Sequence, residues 1–260
     1  MKELSSQPKS INQLLDEGIK LFLVFFPKLL SLILATVMLT ILMQLWMPAL
    51  NATDHNAIDH SVVADVIMAN FWYFFLYAVV LLVLQTAIFY RIGCLMTATD
   101  QGDGEALWQG LKYLLPLLLA SWIYFMLVGI GLLIIVPGII FAVSLCFFTP
   151  LILFEKKSVL EAFSQSHRLV WKHWWRTAIV LGLSILISFM AGILLIIVVK
   201  NLLLVSATLS REEMTFWLQL TSAISEKLLT PFIYIMLLLQ YEELKGYQQR
   251  NQRFQTDLLA

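Results

Sequence analysis

Six apolar runs set the limits on what this chain can fold into. A helix that crosses a membrane needs about 20 mostly apolar residues. The stretches 21–47, 66–90, 113–136, 177–199 and 223–241 meet that length plainly. The run 138–154 sits near the lower limit of roughly 17 residues. The remainder offers no polar stretch long enough for a soluble domain. With 60% hydrophobic and 13% charged residues, against roughly half and a quarter in soluble domains, the chain cannot cover itself in water. The expected class is therefore all-α: one integral membrane domain over 1–260, with six spans, or five and a re-entrant piece if 138–154 does not cross.

Charge and cysteine use narrow the field further. A formal net charge of zero argues against a nucleic-acid partner held by bulk charge. Of the two cysteines, Cys94 falls in a polar connection and Cys146 inside an apolar run, so no disulfide framework is expected. The first apolar run is too long for a signal-peptide core and has no A-x-A site after it, so it reads as a retained span.

Basic residues orient the spans. With six spans and the N-terminus inside, the cytoplasmic parts hold fourteen of the 17 Lys and Arg. They include Lys156, Lys157, Arg168, Lys172 and Arg176 in one connection and Lys245, Arg250 and Arg253 in the tail 242–260. The outer parts keep Lys200, Arg211 and Lys227. That imbalance is what the positive-inside bias predicts. Aromatic residues agree: Phe71 to Phe75 cluster at the expected outer interface, and Trp171, Trp174 and Trp175 at the inner one.

Three segments share a pattern ahead of an apolar run: Gln13 to Lys20, Glu105 to Lys112 and Glu161 to Arg168. Each has an acid or amide, a small residue five positions later (Gly18, Gly110, Ser166) and a base at the seventh. Ser10, Gly102 and Ser158 stand three residues before, where Ser-x-x-Gln and Ser-x-x-Glu make a capping box. Gly102 is a weaker cap without a hydroxyl. The pattern predicts three copies of a cytoplasmic surface helix followed by a helical hairpin, with surface helices at 10–20 and 157–174.

The stretch Ile134 to Arg176 is the most informative. Pro137-Gly138 suits a type II turn, making a tight hairpin between 113–136 and 138–154. It could alternatively interrupt a helix and free backbone groups for a ligand, as in transporters. In 157–174, Leu160, Phe163, His167, Trp171 and Trp174 share one helical face, opposite Lys157, Glu161, Gln165, Arg168 and Lys172. Such a helix lies in the interface plane, where anionic headgroups attract its bases.

Chemistry-bearing residues are sparse. Asp54, His55, Asp59, His60 and Asp65 make an acidic outer loop, in which His55, Asp59 and His60 could contribute to a zinc site or respond to pH. A short loop rarely supplies three or four ligands alone, so a solvated acidic loop is the plainer reading. Lys28, Glu155, Lys200, Glu226 and Lys227 lie at span ends and can snorkel. Deeper polar groups are neutral: Gln44, Gln85, Ser121, Ser144 and Ser184. Ser184, Ser188 and Gly192 recur every four residues and read as a packing seam, within the bundle or between copies. Asn51-Ala52-Thr53 matches a glycosylation acceptor, a tripeptide common by chance. There is no G-x-S-x-G, P-loop or H-E-x-x-H, so no catalytic, cofactor-binding or metal residues are assigned.

The order Val136 to Ile140, Pro150, Glu155 and Ser166 to Trp171 resembles the YciC-like proteins of bacterial inner membranes. It is also similar to the membrane domain attached to some glycerophosphodiester phosphodiesterases. The resemblance covers roughly residues 130 to 185 and implies a bacterial inner-membrane location, with no substrate. The expected function is a non-enzymatic multi-pass protein acting through membrane lipids or protein partners. The alternative is a small transporter or lipid-translocating protein, with an enzyme a distant third.

Overall fold

The computed structural model describes residues 9–46, 68, 70–99, 101–205 and 210–259. Among them the secondary structure is helical, without strands: α1 (Ile11–Trp46), α2 (Phe71–Met96), α3 (Asp103–Lys112), α4 (Leu114–Leu132), α5 (Val136–Ser144), α6 (Phe148–Leu153), α7 (Val159–Trp171), α8 (Trp174–Val205) and α9 (Arg211–Leu259). Six segments are long and apolar enough to cross a bilayer, α5 and α6 counting together as one. This is an all-α membrane protein. The chain forms two compact units, one from Met1–Phe26, Lys112–Leu186 and Phe232–Ala260, the other from Pro27–Leu111 and Ile187–Pro231.

In the first unit, α4 and α5 make a hairpin whose two arms touch through glycine. A Cβ on Gly138 would lie 2.5 Å from the Leu132 nitrogen, and one on Gly131 would lie 2.8 Å from the Gly138 Cα. The reversal falls earlier than Pro137-Gly138. Ile135 carries φ 64 and ψ −67, and the Val136 N–H bonds the Ile134 carbonyl at 2.8 Å. That is a γ-turn of the rare, strained kind, centred on a β-branched residue that disfavours positive φ. Pro137 occupies the first turn of α5, where its missing N–H would have had no helical partner anyway. The expected type II turn is thus replaced by a γ-turn centred two residues upstream of Pro137.

The run 138–154 is two helices rather than one. α5 stops at Ser144, α6 starts at Phe148, and α7 bridges the gap. The fully buried Ser166 hydroxyl donates to the Ser144 carbonyl at 2.8 Å and accepts the Phe147 N–H at 3.2 Å. The interruption therefore lies at 145–147, and its freed groups are satisfied by protein. Ser166→Ala removes both bonds and is expected to cost about 2 kcal/mol, from two net hydrogen bonds of about 1 kcal/mol each. A thermal melt in mild detergent checks this.

α7 opens with the predicted capping box: the Ser158 N–H donates to Glu161 at 3.1 Å and the reciprocal bond is present. Its protein-packed face is a different stripe from the one expected to meet lipid, the two sharing Phe163. Ala162, Phe163, Ser166, Leu169 and Val170 are buried, whereas Leu160 and Trp171 are 76% and 59% exposed. The stripe with the smallest side chains is the one that packs, because Ala162 and Ser166 let α7 approach α5 and α6 closely. The helix is packed into the unit along those two pieces and spans 159–171 instead of 157–174.

Other boundaries shift for related reasons. The expected surface helix 10–20 is the first part of α1, since nothing at the junction of Lys20 and Leu21 breaks the helix. Its own capping box forms between Ser10 and Gln13. The tail 242–260 continues α9, because Tyr241 and Leu244 are buried in the core of the first unit. The second span runs to Met96. It closes with the Ala98 N–H on the Leu95 carbonyl and the Thr99 N–H on the Cys94 carbonyl, Ala98 taking φ 55; this is a Schellman ending on a residue other than glycine. Cys94 is therefore buried in a helix rather than set in a polar connection, and both cysteines are free.

The small position of the three repeated segments has a common physical meaning. Gly18, Gly110 and Ser166 are all buried. A Cβ on Gly18 would collide with the Met236 sulfur, and one on Gly110 would lie 2.6 Å from the Val83 carbonyl oxygen.

Candidate functional site

The link between α6 and α7 sorts its charges to opposite sides. After α6, the Lys157 N–H closes onto the Leu151 carbonyl at 3.2 Å, and Lys156 adopts φ 55. Glu155 turns toward α9, where it accepts the Tyr241 hydroxyl, Lys245 at 2.9 Å and Gln165 at 3.2 Å. Burial opposes its charge, but the hydrogen bonds from Tyr241 and Lys245, the Lys245 charge and the Gln165 amide outweigh that and hold the carboxyl below its usual pKa. Glu155 is thereby neutralised by Lys245.

Lys156, Lys157 and Ser158 instead edge a groove of about 760 Å³ against α4. Leu115, Leu118, Leu119 and Trp122 form its apolar wall, with Ile152 and Pro116 at its base. Two cations thus share an open groove with these apolar side chains, with no carboxylate among the residues that line it. A second groove, of about 620 Å³, lies at the other end of α7. Val136 and Ile140 line it together with Trp171, Lys172, Trp174, Trp175 and Arg176.

Arg176 is fixed from behind. Its guanidinium meets Glu243 at 2.6 Å and donates to the Lys9 carbonyl at 2.7 Å, and Glu243 also accepts the Lys9 N–H at 3.1 Å. Next to it, the His173 ring stacks on Tyr247 with centroids 5.4 Å apart. These contacts tie the start of α8, the segment before α1 and one turn of α9 into a polar belt.

The second unit holds charges that the sequence placed at snorkelling positions. The Lys227 side chain is only 8% exposed and pairs with Glu226 at 2.8 Å, so it is enclosed rather than extended to an interface. Arg91 pairs with Asp103 at 3.3 Å, and Asp103 also accepts the Ser31 hydroxyl. Sequence reading missed both clusters. Arg91 and Asp103 lie on either side of a turn, and the only cue was that Arg91 interrupts an otherwise apolar neighbourhood.

The remaining expected residues resolve as follows. Asp54, His55, Asp59, His60, Asp65 and the Asn51 tripeptide lie outside the described residues. Among the described residues no group of three His, Cys, Asp or Glu side chains could hold a metal. Gln44 pairs with Gln219 at 3.5 Å. Ser184 is buried in the first unit, where its hydroxyl bonds the Val180 carbonyl. In the second unit Ser188 is buried and Gly192 abuts Ser225.

The chain matches no curated protein and no solved structure. One family model spans residues 110–244, from the end of α3 through the hairpin, α7 and α8 into the polar belt of α9. By that match the chain belongs to the family described as a domain of unknown function, DUF7847.

Proposed function

We propose that this is a non-enzymatic membrane protein that holds anionic phospholipid, with the phosphate at Lys156, Lys157 and Ser158 and an acyl chain along Leu115, Leu119 and Trp122. The observation that carries this reading is the open groove of about 760 Å³, lined by apolar side chains and two lysines. Ligand sites of several hundred Å³ that combine apolar walls with a few placed polar groups are the ordinary form of a binding pocket. Pairing of the Glu155 charge with Lys245 leaves the rim free to favour an anion. The bias of basic residues and the resemblance over 130–185 support a bacterial inner membrane with both termini cytoplasmic.

The transporter alternative has less support. The break at 145–147 has its freed groups satisfied by Ser166, and at Pro137-Gly138 the hairpin arms touch glycine on glycine, with the groove beside them lined by Val136, Ile140 and the segment Trp171 to Arg176.

Each base near a membrane surface adds about 1 kcal/mol of attraction to anionic lipid, so the double variant Lys156→Ala/Lys157→Ala should lose roughly 30-fold in preference for anionic over zwitterionic phospholipid. Lipid retained through purification, measured by mass spectrometry, reads this directly. Equal retention of phosphatidylglycerol and phosphatidylcholine by the unaltered protein would sink the proposal.

A further inference from the structure

The six-span topology puts the tip of the α4–α5 hairpin on the membrane face opposite Trp171 to Arg176. The structure brings those residues together instead. We infer that α4, α5, α6 and α7 form a slab lying across α9 within one membrane interface, so that the hairpin enters and leaves on the same face and seats on the lipids of a single leaflet.

Three points along α5 and α6 locate the slab. At the tip, Val136 and Ile140 share a groove with Arg176, which binds Glu243 at 2.6 Å. In the middle, the Phe147 ring lies 5.7 Å from the Tyr241 ring. Past the far end, Glu155 binds the Tyr241 hydroxyl and Lys245. The two pieces cover 18 residues, or about 27 Å at 1.5 Å per residue. The middle and far points touch α9 at Tyr241 and Lys245, and the tip reaches it through Arg176 at Glu243, all within a band of α9 only about 6 Å tall. A segment running alongside α9 would face some eighteen of its residues, so this one crosses it at a steep angle.

The band itself marks depth. Gln240, Glu242, Glu243 and Lys245 follow the apolar run Leu228 to Leu239, which places them where α9 leaves the hydrocarbon. Tyr241 stands in it, with Tyr247, Trp171, Trp174 and Trp175 close by, as interfacial aromatic residues do. α7 fits the same level. Its Glu161 and Arg168 are exposed, and a charge held in mid-bilayer is costly. On α4, Leu115, Leu119, Phe125 and Ile130 are exposed and apolar, the surface a leaflet would cover. An amphipathic layer of this kind lies in the interface plane.

The inference stands apart from the lipid groove and is tested separately. A hydrophilic protease site inserted between Ile134 and Ile135, with a reference site after Arg250, is exposed to protease in sealed vesicles of each orientation. Cleavage of both sites from the same face is expected, and cleavage from opposite faces would overturn the inference. A second measurement leaves the hairpin length intact. In a chain carrying Cys94→Ser and Cys146→Ser, the pair Val136→Cys and Lys172→Cys should be bridged in membranes by a short bifunctional maleimide. Failure to bridge, with each cysteine singly reactive, would also overturn it.

Discussion

Gly138→Ala is expected to lower stability by about 3 kcal/mol, the upper part of the range for overpacked cores. The added methyl would sit 2.5 Å from the Leu132 nitrogen and 2.7 Å from its Cα. Backbone cannot step aside as a flexible side chain can, so α4 and α5 must separate. Separation would also strain the γ-turn at Ile135, which has no slack to absorb it. For a chain of this size the melting temperature in detergent should fall by roughly 6–12 °C. Gly129→Ala is the internal control, because nothing lies within 4 Å of its added Cβ. Equal melting temperatures for the two variants would mean the arms are not in contact.

Glu243→Ala should cost about 3 kcal/mol, the lower end of what breaking a buried ion pair costs. The Glu243 side chain is 11% exposed and that of Arg176 22%, so the cation left behind would keep limited access to water. The Lys9 N–H loses its acceptor in the same change. Glu243→Gln retains an acceptor oxygen while removing the charge, and should recover part of the loss. A melt series over the two variants decides it: if both match the unaltered protein, the belt does not hold the first unit together.

The hairpin was legible in outline and illegible in detail. Apolar length alone located 113–136 and 138–154, because a run of that composition has no stable aqueous alternative. Where the chain reverses depended on which residue would accept positive φ. Sequence favours glycine for that, yet Ile135 accepts it because Gly131 and Gly138 are needed for the contact between arms. The break at 145–147 has one local cue, Pro150, which cannot donate to the Cys146 carbonyl and would crowd it in a continuous helix. What the sequence hid is that Ser166, about twenty residues onward, satisfies the groups the break frees.

The groove rim was half legible. Lys156 and Lys157 stood out as a basic pair after a span, and the capping box at Ser158 announced the next helix. That Glu155 turns to Lys245 and leaves the two lysines facing an apolar groove could not be read from the chain, since Lys245 lies ninety residues away. Lys227 shows the same limit: a basic residue near the end of an apolar run reads as snorkelling until its neighbours are known to enclose it.

The sequence by itself determined that the chain is helical, that lipid is its solvent, and where its capped helices begin, because apolar length and capping spacing act within a few turns of one helix. Tertiary structure alone decided which face of α7 is buried, how the break in the fourth apolar run is satisfied, and that Val136 and Ile140 meet Arg176 where it pairs with Glu243. Those outcomes depend on side chains far apart in sequence meeting at ångström distances, and no local pattern encodes such meetings.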